Sequence, residues 1–206
     1  KSPSEFLPNY GKQVTFYHQT EAYFEHLVKE SSFIKHQVYG QTSAERNLNV
    51  YFVSTPENLA NLEEIRNNNL NYIGLSDKKN QKIGDKLIVW ISCSVHGNEY
   101  AGMESAMTVA YDLVNPANKE SKEWLKNTIV ILDPCENPDG LSRYANWLRE
   151  ISGKKTHPDL YDREHMEEWP SGRYNHYIFD LNRDWAWQTQ IESQKRIALY
   201  NQWMPQ

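Results

Sequence analysis

At 206 residues, with 39% hydrophobic and 24% charged side chains, the chain has material for a substantial buried core, and this composition excludes wholesale disorder. A net charge of −5 lacks the basic footprint of a nucleic-acid or anionic-membrane binder. The longest apolar run, Leu87 to Val95, is far too short to span a bilayer, so no membrane partner is expected.

The first predicted element is a helix capped by Thr20 and running to about Glu30, with Tyr23, Phe24, Leu27 and Val28 inward. Two strand-like runs follow, His36 to Gln41 and Asn47 to Ser54, and read as a hairpin. Thr55-Pro56-Glu57 is a helix start: a hydroxyl cap, a proline where no amide bond is lost, an acidic first turn. That helix is expected to fade in Asn67-Asn68-Asn69. Leu87 to Ile91 is nearly all apolar, as in a central strand covered on both faces. A helix from about Tyr100 to Leu113 then buries Met103, Met107 and Ala110, and Asn127 to Leu132 is a second buried strand. Strand, helix, strand in that order implies a βαβ unit. Asn137-Pro138-Asp139-Gly140 reads as a turn with a tight exit at the glycine. Residues 153–179 lack periodicity, as binding loops often do. A last helix, about Ala186 to Trp203, places Ile191, Ile197, Leu199 and Trp203 on a core. One α/β domain over residues 1–206 is the expectation.

The chain begins at Lys1 with no methionine and no charged-then-apolar leader, so either a signal peptide has been removed or the chain was trimmed. Cys93 and Cys135 each follow a predicted strand; they are read as two buried thiols, a disulfide requiring the strand ends to be neighbours.

In open α/β sheets ligands collect outside the carboxyl ends of strands, and His96 and Glu99 sit there. An imidazole and a carboxylate within one turn suit a divalent zinc ion, with Gly97 sparing the metal a crowding side chain. A polar loop above a sheet would carry such a pair equally well. Downstream, the run from Ser171 to Trp185 holds Arg173, Asn182 and Arg183. Two guanidinium forks and an amide are suited to gripping a carboxylate, whereas Arg183 could simply pair with Asp180 or Asp184.

Taken together, His96-Gly-Asn-Glu99 after an apolar strand, Asn137-Pro-Asp-Gly140 after the next, and Gly172-Arg173 leading to Asp180-Leu-Asn-Arg183 resemble the zinc metallocarboxypeptidase family, the carboxypeptidase A-like enzymes. The matched span is about Leu87 to Trp185. The resemblance implies a mixed, mostly parallel twisted sheet with helices on both faces. It implies Zn2+ held by His96 and Glu99, with Asp180 accepting a hydrogen bond from the other ring nitrogen of His96. Arg173 would polarise the scissile carbonyl and stabilise the oxyanion, in preference to Arg143 and Arg149. Asn182 and Arg183 would bind the free C-terminal carboxylate of a peptide substrate. The family also needs a third ligand histidine, a tyrosine and a glutamate base, which this chain does not supply by motif. His157, His165 and His176 read as exposed or loop-packing. The chain is therefore expected to be the N-terminal part of a longer, exported enzyme (extracellular or periplasmic) and inactive by itself. Two other readings remain open: a zinc-dependent deacylase of small acylated amino acids, and an inactive peptidase-like binding module using its 13% aromatic residues.

Overall fold

A computed structural model describes residues 1–76, 86–153 and 155–206. The N-terminal part comprises α1 (Pro3–Phe6), α2 (Tyr17–Glu30), the strands β1 (Ile34–Gln41) and β2 (Asn47–Val53), α3 (Pro56–Ala60) and α4 (Leu62–Tyr72). Then come β3 (Leu87–Ser92), α5 (Ala101–Val114), α6 (Lys119–Leu125), β4 (Thr128–Asp133), α7 (Pro138–Ile151) and α8 (Ile191–Trp203). Short 3-10 turns lie at Arg163–His165 and Leu181–Arg183. No helix among the described residues is long and apolar enough to cross a membrane.

The four strands form one sheet in the order β1-β2-β4-β3. β1 pairs antiparallel with β2, β2 antiparallel with β4, and β3 runs parallel to β4, with Leu87 opposite Thr128 and Ser92 opposite Asp133. The sheet is mixed, as expected. Its parallel share is smaller than expected, because the hairpin and its junction to β4 supply two of the three pairings.

Period-two alternation divides the core. Tyr51 and Val53 of β2 and Val130 and Leu132 of β4 pack against Phe24 and Leu27 of α2 and Met107 and Ala110 of α5. The intervening Val50, Phe52, Ile129 and Ile131 face Leu59 of α3 and Leu199 and Trp203 of α8. Helices thus cover both faces, and the carboxyl ends of β3 and β4 open side by side.

Several boundaries differ from the sequence reading, each for a tertiary reason. Helix α2 starts at Tyr17, not at Thr20, because buried Tyr17 reaches the backbone oxygen of Asn47 (2.6 Å). Gln19 closes the first turn onto the Phe16 amide, leaving Thr20 inside with its hydroxyl 3.3 Å from Met103 Sδ. Helix α4 passes through its asparagines to Tyr72, since buried Asn69 donates to the carbonyls of Trp203 and Met204. Asn137-Pro-Asp-Gly is a helix start rather than a turn. Asn137 Oδ1 accepts from the Gly140 amide at 2.9 Å, Pro138 takes the first helical position, and α7 follows.

Strand β3 is an edge strand among the described residues, half-open rather than covered on both faces. On its free side Gln206 brackets Ile88, donating its amide to the Ile88 oxygen (3.0 Å) and accepting from the Ile88 amide (2.7 Å). Helix α8 begins at Ile191 and buries Glu192, Ser193, Arg196, Leu199 and Trp203, so Ile191 and Ile197 lie beside the buried stripe instead of in it. Both cysteines are free thiols.

Candidate active site

Beyond Ser92 the backbone turns sharply. Ser94 adopts a left-handed φ of 53°, its carbonyl accepts the Asn137 amide, and its hydroxyl donates to the Glu99 carbonyl. The Glu99 amide closes a tight turn onto the His96 carbonyl (3.1 Å), which brings the two side chains to one point.

Three glycines lock this turn to the rest of the site. A Cβ on Gly97 would lie 2.0 Å from Leu141 N and 2.2 Å from Gly140 C. One on Gly140 would lie 2.3 Å from the Gly172 oxygen, and one on Gly172 2.5 Å from Tyr144 Cβ. Each glycine belongs to a different one of the three motifs. The motifs therefore meet backbone to backbone, and Gly97 serves this contact rather than clearing room around a metal. Asn137 joins them again, its Nδ2 donating to the Arg173 carbonyl (3.1 Å).

His96 is buried, and its two ring nitrogens have distinct partners. Nε2 lies 3.0 Å from Asp180 Oδ1, and Nδ1 lies 3.0 Å from Glu99 Oε1. A carboxylate accepts only, so the ring can donate to Asp180 through Nε2 or to Glu99 through Nδ1. With the proton on Nε2, Nδ1 bears a lone pair facing a second acceptor, Glu99. A shared cation relieves two acceptors in that arrangement, so the pair is chemically suited to supply two zinc ligands. Among the described residues no third histidine, cysteine or carboxylate joins them as a metal-competent group. His157 and His165 bond to each other's segment, Nε2 of His165 meeting the His157 carbonyl at 2.8 Å, and His176 packs edge-on against Tyr177.

Asp180 is shared. Its Oδ1 also accepts from the Asn182 amide (2.9 Å), and its Oδ2 accepts from Arg173 Nε (3.0 Å) and Nη2 (2.8 Å). Burial alone would raise its pKa, but Arg173, His96 and the Asn182 amide hold the carboxyl below its ordinary value. The remaining terminal nitrogen of Arg173, Nη1, lies 3.3 Å from His96 Nδ1. Of the three arginines considered from sequence, only Arg173 points into the site. Arg143 clamps the carbonyls of Ser171, Tyr174 and Asn175, and Arg149 holds Val14 and Gln13 with its guanidinium over the Phe16 ring.

Asn182 and Arg183 are exposed on the 3-10 turn that Asp180 caps. Arg183 makes no ion pair with Asp180 or Asp184 among the described residues: Asp180 is occupied as above, and Asp184 is buried, accepting from Thr189 and Gln190. An open cavity of about 600 Å³ lies beside Glu99, lined also by Ser92, Cys93, Glu136 and Trp185.

Sequence reasoning missed several supporting residues. Glu167 bridges the first and third motifs, accepting from Asn98 Nδ2 (2.8 Å) and from the Gly172 amide. Arg196 pairs with Glu136 under the third motif. Glu167 lies in an aperiodic loop with no local signal, whereas Arg196 recurs at helical spacing with buried Leu199 and Trp203 and was legible in principle.

A family model described as zinc carboxypeptidase matches residues 20–202. Among solved structures, the carboxypeptidase A of Helicoverpa armigera superposes with a TM-score of 0.56 at 14% identity, covering 97% of this chain and 48% of that one. A metallo-carboxypeptidase from Burkholderia cenocepacia gives a TM-score of 0.55 at 14% identity, covering 90% of this chain and 37% of that one. The chain thus spans less than half the length of these enzymes. A search of curated proteins found no match. With the match to the family model extending from α2 through α8, the chain belongs to the zinc carboxypeptidase family.

Proposed function

We propose that the protein carrying this chain is a zinc-dependent carboxypeptidase that hydrolyses the peptide bond next to a free C-terminal carboxylate. The observation that carries this reading is the convergence at His96: Glu99 Oε1 and Arg173 Nη1 both lie at Nδ1 while Asp180 holds Nε2. Zinc at the His96–Glu99 pair would supply electrostatic activation of water. The side chains of the site have separate tasks. Asp180 fixes the His96 ring and its tautomer and anchors Arg173 by two of its nitrogens. Arg173 Nη1, the terminal nitrogen that does not bind Asp180, would polarise the substrate carbonyl and stabilise developing negative charge. Asn182 and Arg183 receive the terminal carboxylate, which confines cleavage to chain ends.

The test is hydrolysis by the full-length protein of matched peptides with free and amidated C-termini. Losing a charged partner at such a clamp costs about 2 kcal/mol or more, so the amide is expected to be cleaved about 30-fold less efficiently. Equal cleavage of the two removes the clamp roles of Asn182 and Arg183. Turnover of small acylated amino acids in place of peptides moves the chemistry to deacylation. His96 and Glu99 would be two of the usual three zinc donors and no third stands with them among the described residues, so the 206-residue chain alone is expected to show no turnover.

A further inference from the structure

We propose that Trp185 sets the specificity of the carboxylate clamp by holding the Asn182 side-chain amide with its NH2 group outward; this rests on the clamp reading above. The indole Nε1–H is a donor only, and it lies 3.2 Å from Asn182 Oδ1. That contact assigns the two ends of the amide. The oxygen faces Trp185, and the nitrogen, with two N–H groups and no protein partner among the described residues, faces outward. A flipped amide would present its oxygen to an incoming carboxylate, placing acceptor against acceptor.

The neighbouring contacts support this orientation. The Asn182 backbone is pinned by Asp180 Oδ1 on the 3-10 turn, so the Trp185 contact is what orients its exposed side chain. The Trp185 ring is fixed from below by Arg196, whose Cζ lies 3.8 Å from the ring centroid. Arg196 is itself buried, paired with Glu136 and within 3.4 Å of the Leu181 carbonyl, one residue before Asn182. Glu136, Arg196, Trp185 and Asn182 thus form one line from the end of β4 to the surface. Arg183, exposed and free of ion pairs among the described residues, adds the charge that a carboxylate needs, while the oriented amide adds direction.

Trp185→Phe deletes the N–H and keeps a ring over Arg196, and it is compared with Asn182→Ala and the double variant in the full-length protein. Each is assayed on matched free-acid and amidated peptides. Losing one orienting hydrogen bond predicts that Trp185→Phe raises KM for the free acid about five-fold. The change should fall on KM rather than kcat, with little effect on the amide. Asn182→Ala should lose about ten-fold or more, and the double variant should match Asn182→Ala alone, since Trp185 acts through Asn182. If Asn182→Ala abolishes free-acid preference while Trp185→Phe retains it, the orienting role is overturned and the clamp stands. If Asn182→Ala leaves the preference intact, the clamp itself falls. Equal losses of kcat on both peptides in Trp185→Phe would mark a general packing role and also overturn the proposal.

Discussion

Asp180 and Asp184 sit four residues apart in one motif and have opposite outlooks. Asp180 connects His96 to Arg173 at the candidate site, while Asp184 is turned inward and holds the backbone that follows. Burial pushes the Asp184 pKa up, but the amides of Thr189 and Gln190, with the hydroxyls of Thr189 and Ser193, outweigh it and hold the carboxyl below its ordinary value. A depressed carboxyl contributes stability that is present above the unfolded pKa, about 4, and lost as pH falls through the folded value. Asp184→Asn is therefore expected to cost about 2 kcal/mol at pH 7, since an NH2 group would replace one charged acceptor. Urea titrations across pH should show the gap to wild type narrowing below about pH 4. A gap independent of pH would mean that the charge contributes nothing.

At the scale of elements, the decisive feature is how closely three loops approach. The motif glycines were visible in the sequence, but their reason was not: a glycine records that something is near, never what. The motif's spacing points Gly97 toward the metal side, whereas in the structure it abuts the first turn of α7. The same blindness turned Asn137-Pro-Asp-Gly into a simple turn. The cap, the proline and the acidic first turn were all legible as a helix start, and Leu141, Ala145 and Leu148 continue the helical period. The turn reading gives Gly140 the part of a tight exit, yet in the structure it admits the Gly172 carbonyl. Gly97→Ala is expected to cost about 3 kcal/mol, since its new methyl meets backbone rather than a movable side chain. Gly102→Ala, in the first turn of α5 with its nearest neighbour at 3.4 Å, should stay within about 1 kcal/mol. Denaturation midpoints that fail to separate these two substitutions would refute the close-approach account.

Across the whole molecule, a charged pair lies where the sheet, α8 and the third motif meet. Arg196 and Glu136 are both buried, and burial pushes the Glu136 carboxyl upward against the pull of the Arg196 guanidinium. Such a pair is weak evidence of stability as a unit, but removing one member strands the other. Arg196→Met is expected to cost about 3–5 kcal/mol, with Glu136→Gln added to it recovering part of the loss. Equilibrium unfolding of the single and double variants measures this, and a double variant worse than the single would show that the two groups do not interact as described.

The sequence by itself determined the local facts. His96 and Glu99 must converge because one turn of chain separates them, and apolar runs with period two and helical period three to four set most elements. The place of His96 and Glu99 just after an apolar strand identified the sheet end at which the motifs gather. The motif context favoured Arg173 over Arg143 and Arg149, but only the tertiary structure decided how Arg173 reaches His96, which face of α8 carries charge inward, and why three glycines are needed. Those outcomes depend on contacts between residues 28 to 84 positions apart. Local preference is blind to such contacts, because close packing of distant backbone, rather than any property of the segments alone, selects among them.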